Sequence, residues 1–86
     1  MISNQTLQNT IDGLHQITKV DFAVVDSEGG VLASTLTNPG QYRESAVTFA
    51  ISEAESQVVS GCQFFKVYDE QQLEFIVLAK GTDEEE

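Results

Sequence analysis

The stretch that decides the fold is Cys62-Gln63-Phe64-Phe65-Lys66-Val67-Tyr68-Asp69-Glu70-Gln71-Gln72-Leu73-Glu74-Phe75-Ile76-Val77-Leu78-Ala79-Lys80. Two runs rich in aromatic and β-branched residues flank a polar connection, and each is too short for a helix of ordinary length. They read as strands over 62–68 and 73–80. A short turn pairs Tyr68 with Leu73, Lys66 with Phe75, Phe64 with Val77 and Cys62 with Ala79. The other face then carries Phe65, Val67, Ile76 and Leu78. A hairpin with one wet face alternates apolar and polar residues. This one is apolar on both faces, so it is expected in the middle of a sheet, or with its second face covered by a partner.

Upstream, Val20-Asp21-Phe22-Ala23-Val24-Val25-Asp26 and Val31-Leu32-Ala33-Ser34-Thr35-Leu36 flank Ser27-Glu28-Gly29-Gly30, a second hairpin with turn chemistry between its strands. A helix is expected over 4–18, where Leu7, Ile11, Leu14 and Ile17 form one apolar stripe and Ser3 or Asn4 can cap the start. Gly13 inside it weakens the helix or marks a close contact. After the break at Asn38-Pro39-Gly40, a second helix is expected from Gln41 to between Glu55 and Val58, with Tyr42, Ala46, Ala50 and Ala54 spaced four apart. The order α-β-β-α-β-β predicts an α/β (α+β) domain: an antiparallel sheet of four or five strands with helices mainly on one face, in the manner of PAS, GAF, profilin and roadblock domains. Residues 1–81 read as this single domain and 82–86 as an acidic tail. Such folds carry many functions, so outline alone selects none.

The chain has 86 residues, with 14 acidic and 4 basic side chains and a formal net charge of −10. Nucleic-acid binding needs cations to neutralise phosphates, and anionic membranes need them too. Direct nucleic-acid contact and membrane association are therefore not expected. The longest apolar run, Phe75 to Ala79, is far short of a membrane span, and the N-terminus has no secretory pattern. A single cysteine, Cys62, forms no internal disulfide, which fits the cytoplasm. Cys62 and His15 alone cannot make a structural zinc site, and no metal or other cofactor is expected.

Residues able to do chemistry are few and scattered, so no enzyme is expected and no catalytic residue is assigned. His15 lacks a neighbouring nucleophile in the pattern of a hydrolytic triad. Asp21, Asp26, Asp69 and Glu70 bracket strands and turns, and Gly29-Gly30 joins two strands rather than opening a phosphate loop. Arg43, the only arginine, falls in the first turn of the second helix. It either pairs with Glu44 or another surface acid, or offers a bidentate fork to a small anion. In the second case Tyr42, Ser45, Ser34 and Thr35 supply hydroxyls, and these five residues form the candidate ligand site.

The runs 4–14, 17–21, 25–35 and 63–81 together resemble the N-terminal sensory segment of sugar-diacid-regulator (CdaR/PucR-type) bacterial transcription factors. The resemblance is one of overall pattern and spans nearly the whole chain. It implies a cytoplasmic, non-catalytic sensing and dimerisation domain that binds a small organic-acid effector, while a separate helix-turn-helix domain binds DNA. The competing expectation is a roadblock or profilin-like interaction scaffold with no effector.

Overall fold

The computed structural model describes residues 3–81, so the acidic tail lies outside the described residues. Helix α1 (Asn4–Thr18) leads into β1 (Val20–Val25) and β2 (Val31–Ser34). A 3-10 turn at Pro39–Tyr42 runs into α2 (Arg43–Ala50), followed by β3 (Ser56–Val59), β4 (Cys62–Asp69) and β5 (Gln72–Gly81). The five strands form one antiparallel sheet in the order β2-β1-β5-β4-β3. The 62–80 hairpin is central, as its two apolar faces require.

Ser3 starts α1 by accepting the Thr6 N–H at 3.1 Å. Lys19 ends it in the left-handed region, its N–H bonded to the His15 carbonyl. Of the expected stripe, Leu7 and Ile11 are buried, whereas Leu14 and Ile17 remain 42% and 81% exposed. A Cβ on Gly13 would meet nothing within 4 Å, so no close contact accounts for that glycine.

The two helices lie on opposite faces of the sheet rather than mainly on one. Strand alternation sends Ala23 and Val25 to a core with Tyr42, Ala46, Phe49, Cys62, Phe64, Ile76 and Leu78. It sends Val24 to a second core with Leu7, Ile11 and Ala33. Each helix brings an apolar side, and the central strands are apolar on both faces, so each face recruits one helix.

Helix α2 is shorter than the alanine spacing predicts. The Ser52 N–H and hydroxyl both bond the Phe49 carbonyl, at 3.0 and 2.8 Å, and Lys66 Nζ donates to the Ser52 carbonyl. These bonds satisfy the helix end. Residues 56–59, which the sequence reading placed at or beyond the end of the helix, instead form a strand paired with β4, Gln57 opposite Phe64 and Val59 opposite Cys62. Ser60 and Gly61 both have positive φ, the geometry of a two-residue hairpin turn.

The central hairpin also departs from the expected register. Tyr68 does pair with Leu73, but Val67 then pairs with Phe75, Phe64 with Leu78 and Cys62 with Lys80. Glu74 is thus an extra residue in β5, a bulge that shifts every later pair by one. The turn that closes this hairpin places Glu70 and Gln71 at φ 54° and 74°.

Two stability changes follow. Gly13→Ala should stabilise the chain by about 0.5–1 kcal/mol, since Ala favours the helix and the site has room. Gln71→Gly should stabilise it by roughly 1 kcal/mol by relieving the left-handed conformation of an L-residue. Urea unfolding of each variant checks both values, and a lower midpoint for Gly13→Ala would mean that α1 needs its glycine.

Candidate functional site

The five candidate ligand residues do not converge on one cleft. The Ser34 hydroxyl accepts the Leu36 N–H at 2.9 Å and donates to the Leu36 carbonyl. The Thr35 hydroxyl donates to Asp21 Oδ1 at 3.0 Å and accepts the Phe22 N–H at 2.9 Å. Both hydroxyls therefore serve the β1–β2 end of the sheet. Tyr42 is buried, and its ring meets Phe64 edge to face at 5.9 Å. Its hydroxyl accepts from Lys80 Nζ at 3.3 Å. Arg43 is exposed, and its side-chain stem runs beside Gly29 in the β1–β2 turn, where a Cβ would stand 2.6 Å from Arg43 Cγ.

Ser45 lines a different feature, a groove of about 290 Å³ between α2 and β3 that also includes Glu44, Thr48, Gln57 and Val59. Its only charged lining residue is an acid, which repels an organic anion. A second groove, of about 340 Å³, is lined in part by Asp21, Asn38, Gln41 and Lys80. No sequence spacing marks it, because Asp21 and Lys80 become neighbours only through the β1–β5 pairing. Lys80 is its one cation and Asp21 stands directly opposite, so an incoming carboxylate meets both signs of charge.

The other titratable groups are engaged structurally. Asp26 Oδ1 accepts the Glu28 and Gly30 N–H groups at 2.9 and 2.7 Å and so holds the turn after β1. His15 Nδ1 lies 3.0 Å from the Val20 carbonyl and 3.3 Å from Asp21 Oδ1, where it ties the end of α1 to β1. Among the described residues, no three His, Cys, Asp or Glu side chains gather as metal ligands, and no helix is long and apolar enough to cross a membrane.

The two edges of the sheet contrast sharply. At the β2 edge, Gln8 reaches from α1 and acts as a substitute strand. Its Oε1 accepts the Ser34 N–H at 3.1 Å and its Nε2 donates to the Ser34 carbonyl at 3.0 Å. β2 also carries a bulge near Leu32, where Val24 pairs with Ala33 but Val25 with Val31. The β3 edge, Ser56-Gln57-Val58-Val59, has no proline, no charge and no bulge in its pairing with β4. The Lys66 N–H bonds the Glu55 carbonyl. By antiparallel alternation Gln57 and Val59 also face β4, and Ser56 and Val58 turn their backbone N–H and C=O groups outward. The sequence signal for this edge was Val58-Val59 before Ser60-Gly61, which the helical spacing of alanines masked.

No family model matches this chain, and neither a curated protein nor a solved structure matches it.

Cys62 is fully buried, and that burial pushes its thiol above the ordinary value, with Lys80 pulling the other way. The unfolded thiol therefore ionises first as pH rises, starting near its ordinary 9.0. The Cys62 contribution to stability is fully present below that pH and declines above it. The stability difference between the wild type and Cys62→Ala should shrink as pH climbs past 9.0 in urea titrations. Ellman's reagent should label the native thiol far more slowly than the unfolded one.

Proposed function

We propose that this domain is a non-catalytic interaction module that pairs with a second copy of itself through the β3 edge. The observation that carries this reading is the contrast between edges: α1 supplies Gln8 to close β2, while β3 is left open, with no proline, charge or bulge on it. A two-fold centred on Gln57 would set Ser56 against the partner subunit's Val58. Their outward groups would then join the two sheets, and the adjoining α2–β3 groove would meet its own copy.

This reading takes the dimerisation half of the role implied by the CdaR/PucR resemblance and agrees with a roadblock or profilin-like scaffold. Sensing of a small organic acid has less support, since the five hydroxyl and guanidinium candidates are dispersed.

Two copies of a chain at −10 repel each other, so association should strengthen with added salt. Sedimentation velocity should show a dimer that grows with protein and salt concentration. Ser56→Pro removes an outward N–H, and Val58→Lys places a charge on the edge. Each should yield a monomer with an unchanged circular dichroism spectrum. A wild type that stays monomeric in high salt at near-millimolar concentration would rule the reading out.

A further inference from the structure

α1 covers only part of its face of the sheet. Its buried side chains, Leu7 and Ile11, pack with Val24 on β1 and Ala33 on β2. Across β5, β4 and β3 the same face continues with Phe75 and Val77, then Val67 and Phe65, then Val58, positions assigned by the pairings Val24–Val77–Phe65 and Phe75–Val67. Phe65 is 41% exposed and Val58 65%, and at the β3 margin a groove of about 180 Å³ lies among Ser56, Gln57, Val58, Gln63 and Phe65. From 63 to 67 on β4 and from 75 to 79 on β5 this face carries no charged side chain, and its polar members are Gln63 and, on β3, Ser56.

The open face has a wall on its α1 side. Gln8 bonds Ser34 and so marks the β2 side of α1. Ile17, nine residues further on, sits about half a turn round the helix from Gln8. It therefore points over the open strands, with Leu14 between it and the buried stripe. The exposure of Leu14 and Ile17, unexplained by the core, is that of a wall facing an empty floor.

Phe75 and Val77 on β5 already pack against the cluster under α1, so the open floor is β4 and β3, roughly 10 Å wide at about 4.8 Å per strand, which accommodates one helix about 10 Å across beside α1. Charge selects its chemistry. Arg43 is on α2, Lys66 lies over the Phe49 ring, and Lys80 meets Tyr42, so three of the four cations serve the opposite face. Asp69, Glu70 and Glu74 lie at the end of the floor where the β4–β5 turn is, and Glu55 stands beside Lys66 on the way to it. Residues 82–86, Thr-Asp-Glu-Glu-Glu, carry no large apolar side chain to serve as cover.

We propose that the open sheet face between Leu14 and Ile17 on α1 and Phe65 on β4 docks one amphipathic helix of a partner protein, with an apolar stripe against the floor and Lys or Arg on its flanks. This surface is a face of the sheet that runs up to β3, whereas the proposed pairing uses the outward backbone groups of β3, so a monomer also presents it.

The test uses the whole chain and a fluorescein-labelled designed peptide of about 18 residues, long enough for five turns. It carries a leucine stripe at helical spacing with lysine flanks. One control has the same composition with the stripe permuted, and another has glutamate in place of lysine. Fluorescence anisotropy should show the striped lysine peptide binding at least about tenfold more tightly than either control. Ile17→Ser and Phe65→Ser should each weaken it by about tenfold. Ile17 is so exposed that its replacement tests the open face even if Phe65→Ser disturbs the fold. Equal binding of the permuted peptide would reduce the effect to general charge attraction and overturn the proposal. So would indifference to both serine variants. Loss of the dimer in Phe65→Ser would assign the face to a second copy instead, and Phe65-dependent capture by phosphatidylcholine vesicles would assign it to a lipid surface.

Discussion

One extra residue in β5 governs how the rest of the chain packs. With Tyr68 opposite Leu73, a regular ladder would set Phe64 against Val77 and turn Ile76 and Leu78 to the α1 face. The bulge at Glu74 shifts the ladder so that Phe64 meets Leu78 and Ile76 lies on the same face. A slip of one residue exchanges the faces of a strand, so this single irregularity decides which side chains make each core. It also turns Lys80 toward Tyr42.

The core under α2 depends on that register. Phe64 is fully buried between Phe49 and Tyr42, both edge to face, at 5.8 and 5.9 Å. Such pairs add about 0.5–1.5 kcal/mol beyond area burial. They hold a helix of only eight residues, too short to persist alone, against the sheet. Lys66 extends the arrangement, its ammonium 4.9 Å from the Phe49 ring centre and bonded to the Ser52 carbonyl just beyond α2. The helix therefore ends where β4 reaches it, and the chain beyond is released to form β3. An open edge strand is thus linked to the aromatic packing at the centre of the domain.

Much of the architecture was legible in the residues. The bounds of α1, its Ser3 cap, both original hairpins and the central position of 62–80 all follow from local spacing and capping chemistry. The shorter α2 and the strand at 56–59 were not legible, because alanines spaced four apart favour a helix until Ser52 and Lys66 satisfy its end. Phe49, the largest contribution of α2 to the core, stood outside the small-residue stripe that defined the expected face. The candidate ligand residues were selected for chemical type and nearness in sequence. Ser34 and Thr35 proved to be bonded within the sheet edge, Tyr42 buried and Arg43 laid along a turn, because backbone donors beside them had first claim on their polar groups.

By itself, the sequence determined the class of the domain, its acidity, its paucity of chemical groups and the two-faced apolar hairpin at its centre. Those are properties of composition and of periods of two and three to four residues, which act within single elements. Only the tertiary structure decided the opposite placement of the helices, the register across Glu74, the closing of one sheet edge by Gln8 and the opening of the other at β3. Each of these depends on partners far apart in the chain, such as Gln8 with Ser34 or Lys66 with Ser52, and no local pattern specifies which distant groups will meet.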